Sequence, residues 1–88
     1  MEKPPKKYRG VSWHKRYHCW RVKIGSHGRH VFLGNYQDPA TAARVYDAAA
    51  MILHRRDAVL NFPDAPPSKD LLTKMTHLLL RKKALAKI

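Results

Sequence analysis

Apolar and polar residues alternate with a period of two in three short stretches of the first half of the chain. These stretches read GVSWH, CWRVKI and RHVFLGNY, and their apolar positions are Val11, Trp13, Trp20, Val22, Ile24, Val31 and Leu33. Such alternation is typical of β-strands that are buried on one face. The glycines of the intervening GSHG supply the positive φ that a tight hairpin needs. The pattern therefore predicts an antiparallel sheet of three strands with one apolar face.

The spacing of apolar residues becomes helical in the next segment, DPATAARVYDAAAMILHRR. Asp38 is suited to cap the first amide groups, and Pro39 to the first helical position. Six alanines within 40–50 favour a helix strongly. An apolar stripe at helical spacing comprises Ala42, Ala43, Val45, Tyr46, Ala49, Ala50 and Leu53. We expect this helix to cover the apolar face of the sheet, with Trp13 and Trp20 filling gaps as core residues.

The last part of the chain holds a break and then a second helical pattern. DAVLNFP is expected to be extended, with Leu60 and Phe62 packed back on the core, and DAPPS interrupts the chain. A helix is predicted from Ser68 to about Lys87, and its apolar face comprises Leu71, Leu72, Met75, Leu78 and Leu79. This helix could pack on the domain, pair with a second copy, lie on a membrane surface or dock a protein partner. Packing on the domain or contact with a protein partner is favoured over the other two roles.

These elements predict an α+β fold in which a three-stranded antiparallel sheet packs on one α-helix, with a further helix at the C-terminus. A chain of 88 residues has room for one domain. Residues 1–7 are expected to form a basic flexible arm and residues 8–63 the folded domain. Residues 64–88 are expected to form a linker and an amphipathic basic helix.

The charge of the chain narrows the class of partner. Eighteen Lys and Arg residues against six Asp and Glu give a formal net charge of +12. Residues 1–37 contain nine basic residues and one acidic residue, so +8 of this charge lies there. Such a balance predicts binding to a polyanion. The single cysteine suits a reducing compartment. No apolar run approaches the ~20 residues that span a bilayer, so no membrane-spanning segment is expected, and a membrane is not among the expected partners.

The polar positions of the three strands form a face without an acidic residue. They are Ser12, His14, Arg21, Lys23, His30 and Phe32, with Arg9, Lys15, Arg16 and Arg29 at strand ends and turns. Because like charges on neighbouring strands repel, a face of one sign favours a nucleic-acid partner. Three strands span about 10 Å, close to the ~12 Å width of the B-DNA major groove, whereas the major groove of A-form RNA is too narrow. The expected partner is therefore double-stranded DNA.

Catalytic and metal-binding chemistry is not expected. Cys19 is close in sequence to His14 and His18, but no carboxylate orients a histidine and the spacing is not that of a zinc site. Asp47 is expected on a solvated edge of the helix, where it pairs with an arginine or caps local amides. The sequence therefore predicts no enzyme activity, no metal and no cofactor.

Five short motifs occur in order between Tyr8 and Pro63: YRGVSWH, CWRVKI, VFLGNY, TAARVYDAAA and AVLNFP. In this combination the chain resembles the plant APETALA-two/ethylene-response-factor (AP2/ERF) DNA-binding domain. The resemblance implies a sheet that reads the major groove, in a transcription factor of the nucleus. It also implies DNA contacts for Arg9, for the exposed aromatic Phe32 and for Tyr46, whose hydroxyl could reach a phosphate. A role of Tyr46 in the core remains equally open.

The chain departs from the family pattern on its strands. Ser12 and His14 stand where members that bind GC-rich boxes have arginines, Lys23 stands where they have a glutamate, and His30 replaces an arginine. The residues therefore indicate a divergent, single-repeat member, and a GCC-type box is not assigned as its target.

The candidate DNA-binding residues are Arg9, Ser12, His14, Lys15, Arg16, Tyr17, Arg21, Lys23, Arg29, His30, Phe32 and Tyr46. Arg16 and Tyr17 lie in a loop that is one residue longer than in the ethylene-response branch. We expect sequence-specific binding of duplex DNA by a monomer. Two alternatives are a DNA-reading accessory module of a homing-endonuclease-type enzyme and a non-specific basic nucleic-acid binder.

Overall fold

The computed structural model describes residues 7–84. Most of the predicted basic arm, and the predicted helix end near Lys87, lie outside the described residues. Three strands, β1 (Val11–His14), β2 (Cys19–Ser26) and β3 (Arg29–Tyr36), pair antiparallel in the order β1-β2-β3. Two α-helices follow, α1 (Pro39–Leu53) and α2 (Lys69–Arg81). The predicted α+β fold is confirmed.

Strands β2 and β3 are joined by a two-residue turn. His27 (φ 50°) and Gly28 (φ 77°) are both in the left-handed region, and the flanking residues Ser26 and Arg29 pair with each other. Two successive positive φ values define a type I′ turn, whose twist matches that of the strands. The prediction that both glycines of GSHG serve the turn is therefore only half right. Gly25 is a strand residue of β2, and a histidine takes the other turn position.

A β-bulge at Leu33 shifts the side-chain alternation of β3. Val22 pairs with Gly34 while the next residue, Lys23, pairs with Phe32, so Leu33 has no residue opposite it. Gly34 has a φ of 122°, and a glycine within a strand commonly marks a bulge. The extra residue moves every later side chain of β3 to the other face of the sheet.

The last two residues of β3 owe their placement to this bulge. Asn35 lies opposite Arg21 and Tyr36 lies opposite Trp20. Tyr36 packs against the core, and its hydroxyl donates to the carbonyl of Leu33 at 2.9 Å. Burial raises the pKa of the Tyr36 hydroxyl.

Helix α1 covers the apolar face of the sheet, as predicted. The side chain of Asp38 accepts from the amide of Thr41 at 2.9 Å, and Pro39 is the first helical residue. Five alanines of the helix are fully buried: Ala42, Ala43, Ala48, Ala49 and Ala50. Such small side chains allow the helix to lie close to the strands. The rings of Trp13 and Trp20 meet edge to face at 5.1 Å. Trp20 is a core residue, as predicted, whereas Trp13 is half-buried and packs against the core.

Helix α2 packs against α1. The hydroxyl of Ser68 accepts from the amide of Leu71 at 3.2 Å and so caps the helix. The predicted apolar face is the one that joins the core: Leu71, Leu72, Met75, Leu78 and Leu79. Among the roles considered for this helix, the structure therefore supports packing on the domain, because its apolar face is used within the chain. The helix ends at Arg81, earlier than predicted. Neither helix of the described part is long and apolar enough to cross a membrane.

Candidate nucleic-acid interface

The surface of the sheet that faces away from α1 collects the polar positions of all three strands. Directly opposite residues of antiparallel strands share a face, and Ser12 lies opposite Arg21 while Lys23 lies opposite Phe32. The strand registers bring together all six of the predicted strand residues: Ser12, His14, Arg21, Lys23, His30 and Phe32. We call this surface the open face.

Arg21 lies on the central strand of the open face, beside the ring of Phe32. Its guanidinium carbon is 5.4 Å from the centroid of that ring, a cation–π distance, and Phe32 is 38% exposed. The Nε of Arg21 is buried and has no hydrogen-bond partner among the described residues. A buried donor that lacks a partner is destabilising by about 1–3 kcal/mol.

A second cluster lies at the turn between β1 and β2. The rings of His14 and Tyr17 are 5.0 Å apart, and the guanidinium carbon of Arg16 is 5.8 Å from the centroid of the Tyr17 ring. Tyr17 is 65% exposed, and Lys15 in the same turn is exposed. The Nδ1 of His14, like the Nε of Arg21, is buried without a partner in the part of the chain that the structure describes. Both unpaired polar atoms thus belong to the open face.

Cys19 shares the open-face alternation but is buried. It lies opposite His14, is 5% exposed and is a free thiol. A buried thiol is poorly accessible to a substrate, so the pair does not form an open nucleophilic site. Between residues 7 and 84, no group of three or more His, Cys, Asp and Glu side chains is placed to hold a metal ion.

A set of hydrogen bonds fixes the entry to β1. The Oδ1 of Asp47, on α1, accepts from the amide of Asn61 at 2.7 Å, and its Oδ2 accepts from the amide of Phe62 at 2.9 Å. The side chain of Asn61 accepts from the amide of Arg9 at 2.7 Å and donates to the carbonyl of Arg9 at 3.2 Å. We call these four residues the clasp, since they tie the helix and the NFP segment to the start of the sheet.

The expectation for Asp47 is wrong in its placement. The residue is 1% exposed rather than on a solvated edge, and the amides that it binds are 14 and 15 residues away rather than local. The physical reason is that the returning NFP segment pairs with no strand, so its N–H groups need acceptors. A carboxylate supplies two acceptor oxygens in one side chain.

Tyr46 lies next to Arg9, the residue of the clasp that leads into β1. Asn61 holds the main chain of Arg9 through two hydrogen bonds. Arg9 itself is exposed. Tyr46 is 7% exposed, and its ring lies against Gly10. Burial raises the pKa of Tyr46, and the charge of Arg9 opposes that rise. The structure thus supports the core role of Tyr46, although this residue also borders a shallow hollow beside the open face.

Arg29 is placed apart from the other candidates. It pairs with Ser26, whereas its neighbour His30 pairs with Gly25, so Arg29 and His30 lie on opposite faces. Arg29 lines a crevice with Lys82 at the end of α2. The structure therefore does not bring Arg29 onto the open face.

The chain is similar to transcription factors of Arabidopsis thaliana. It is 35% identical over 72 residues to the ethylene-responsive transcription factor ERF018, covering 80% of this chain and 36% of that protein. It is 41% identical over 66 residues to the AP2-like ethylene-responsive transcription factor At1g79700, with 64% and 22% covered. With the AP2-like factor AIL7 it shares 40% identity over 81 residues, with 81% and 16% covered. The chain belongs to the AP2/ERF family.

No protein-family model matches this AP2/ERF chain. The chain spans about a third or less of the length of the relatives named above. Two of the motifs that carry the family resemblance meet in the clasp, because Asn61 of NFP binds Arg9 of YRG. Gly10 of the same motif lies against Tyr46 of the helix. The start and the end of the AP2/ERF pattern therefore hold one another in the fold.

Two residues of this AP2/ERF surface escaped the sequence analysis. Asn35 is exposed opposite Arg21, and the glycine at 34 was the signal for the bulge that puts it there. The Nζ of Lys82 is 5.5 Å from the centroid of the Phe32 ring. No local pattern indicates that contact, because the two residues are far apart in the sequence.

Proposed function

We propose that this chain binds double-stranded DNA in a sequence-specific manner, as the DNA-binding part of a nuclear transcription regulator. The proposal rests on one observation above all. The open face brings the cations Arg21 and Lys23 together with His14 and His30, and it contains no acidic residue. The relatives are named as ethylene-responsive transcription factors, which supports a role in transcription.

The dimensions of the sheet favour the major groove of B-form DNA. Three strands span about 10 Å, and the groove is about 12 Å wide. Helix α1 covers the other face of the sheet and α2 packs on α1, so both helices leave the open face free to enter the groove. The deep and narrow major groove of A-form RNA excludes such a surface. Since one chain supplies the whole face, we expect it to bind as a monomer.

Different parts of the open face suit different contacts. Arg21 and Lys23 on the central strand can donate to the O6 and N7 of guanine, and the amide of Asn35 can form paired bonds with adenine. Lys15 and Arg16, in the exposed turn, are suited to phosphates, which fix the register without reading sequence.

Selection from a pool of random duplex DNA tests the proposal directly. We expect the 88-residue chain to enrich a short motif, and its affinity for that motif to fall steeply as salt rises. Double-stranded RNA should compete poorly. If no motif is enriched and all duplexes bind equally, the chain is a non-specific basic binder, the second candidate that its net charge of +12 favours.

Replacing Arg21 or Lys23 with alanine should weaken binding to the selected motif about 10- to 100-fold. Preference over unrelated duplexes should fall as well, because these side chains are assigned to base edges. Kd values for the selected duplex and for an unrelated duplex, measured by fluorescence anisotropy, give the loss of affinity and the loss of preference. Circular dichroism should show a folded protein, since the buried Nε of Arg21 has no partner within the described chain to lose.

Lys74→Ala is the matched control for these variants. Lys74 is exposed on α2, away from the sheet, and its replacement removes the same charge. We expect this variant to lower the affinity for both duplexes only slightly and to leave the preference for the selected duplex unchanged. Equal losses in all three variants would mean that overall charge, and not the open face, determines binding.

A further inference from the structure

A crevice separates the β2–β3 hairpin from the end of α2. It is lined by three cations, Arg29 from β3 and Lys82 and Lys83 from the end of α2, together with His27 of the hairpin turn. No acidic residue lines it. We call this feature the cationic crevice. It joins residues from two elements that are distant in the sequence, so their proximity is a product of the fold.

The end of α2 is well defined, which fixes the two lysines in space. The amide of Lys83 donates to the carbonyl of Leu80 at 3.0 Å, and the amide of Ala84 donates to the carbonyl of Leu79 at 2.9 Å. These two bonds constitute a Schellman motif. Leu79 is fully buried and Ala84 packs against the core. Lys82 and Lys83 therefore leave the helix at an anchored position beside the hairpin.

Lys83 occupies a position at which glycine is usual. Its φ is 57°, and a side chain in the left-handed region is strained, which is why glycine ends most Schellman motifs. Complementing the helix dipole does not require this residue, since Arg81 already stands in the last turn. Neither the backbone conformation nor the helix dipole therefore accounts for a lysine at this position.

Lys82 connects the cationic crevice to the open face. Its Nζ is 5.5 Å from the centroid of the Phe32 ring, the same ring that the guanidinium of Arg21 approaches to 5.4 Å. Strand β3 is an edge strand of the sheet. Because the sheet is nearly as wide as the groove, the sugar–phosphate backbone would run beyond such an edge.

We propose that the cationic crevice binds a phosphate of the DNA backbone next to β3, through Arg29, Lys82 and Lys83. This inference rests on the proposed function and adds to it a contact from α2, which lies outside the sheet. Ammonium and guanidinium groups bind phosphate through charge-assisted hydrogen bonds. Since phosphates carry no sequence information, the cationic crevice contributes to affinity and register, and the open face alone determines the preferred sequence.

The double variant Lys82→Gln/Lys83→Gln tests the contact by salt dependence. In roughly 0.15 M salt, each lost phosphate contact should weaken binding about fivefold, and the slope of log K against log salt should decrease by about 0.9 per contact. The selected duplex and an unrelated duplex should lose affinity by the same factor. The matched control, Lys69→Gln/Lys74→Gln, removes the same charge from the other part of the same helix and should leave the slope unchanged.

Lys83→Gly should move stability and binding in opposite directions. Glycine relieves the left-handed strain at this position, so the melting temperature should rise by roughly 4 °C. Loss of one of the three cations around the phosphate should weaken DNA binding measurably, by no more than the roughly fivefold assigned to a whole phosphate contact. A lysine with a purely structural role would produce the rise in melting temperature without the loss of affinity, and that result would overturn the inference.

The inference and the proposed function fail in different ways. If the wild-type chain does not bind duplex DNA, the proposed function itself is wrong. If the wild type binds and selects a motif, but the Lys82/Lys83 and Lys69/Lys74 double variants show the same salt slope, only the cationic crevice is refuted.

Discussion

Replacing Asp47 with alanine should lower the free energy of unfolding by about 4 kcal/mol. The carboxylate accepts the amides of Asn61 and Phe62 at 2.7 and 2.9 Å, and alanine would leave both donors without an acceptor. Each unsatisfied donor is destabilising by about 1–3 kcal/mol. Because a domain of this kind has a total stability of about 5–15 kcal/mol, the variant should be only marginally folded. Urea denaturation followed by circular dichroism measures the change.

Asp64→Ala is the control for the loss of a negative charge. Asp64 is exposed in the segment that precedes α2, and its replacement should change stability by less than about 0.5 kcal/mol. The loss of stability in Asp47→Asn should lie between those of Asp47→Ala and Asp64→Ala. The asparagine amide keeps one acceptor oxygen but presents an N–H group at the other position. Losses of equal size for Asp47→Ala and Asp64→Ala would show that the clasp contributes nothing specific.

Replacing Gly10 with alanine should destabilise the domain by about 3 kcal/mol. Gly10 has a φ of 78°, and a Cβ added there would overlap the ring of Tyr46 and lie 2.9 Å from the carbonyl oxygen of Lys23. Tyr46 is 7% exposed, so its ring has little room to move. The change therefore combines backbone strain with overpacking, and thermal and urea denaturation should both report it.

Gly28→Ala separates the two contributions. Gly28 has nearly the same backbone conformation, with a φ of 77°, but a Cβ added there meets nothing within 4 Å. It should therefore show the strain alone, at about 1 kcal/mol. The difference between the two variants then measures the collision with Tyr46. Equal losses of stability would mean that the close contact of Gly10, just before β1, with Tyr46 of α1 is not needed for stability.

Both predictions concern the start of β1, and they explain how a small domain supports a binding surface. The clasp fixes the main chain of Arg9, and the Gly10–Tyr46 contact fixes the next residue. From there the strand continues with Ser12 on the open face. The scaffold thus sets the position of the first strand from beneath, which leaves the proposed DNA-binding side chains free for contacts outside the protein.

The amino-acid sequence by itself predicted the elements whose signals are local. Alternation at period two identified the three strands and assigned Trp13 and Trp20 to the core, because successive side chains of a strand point to opposite faces. The alanines and the Asp38–Pro39 pair identified α1, because capping and helix propensity act within a few residues. The same alternation assigned Arg21 and Lys23 to one polar face, and the strand registers bring them together there.

Only the tertiary structure decided the features that depend on distant partners. The burial of Asp47 follows from the return of Asn61 and Phe62 to α1, and the place of Asn35 on the open face follows from the register across the bulge. The contact between Lys82 and Phe32 requires α2 to pack on α1 and to end beside β3. Hydrogen bonds and charges act over a few ångströms of space, whereas periodicity reports only the neighbours of a residue along the chain.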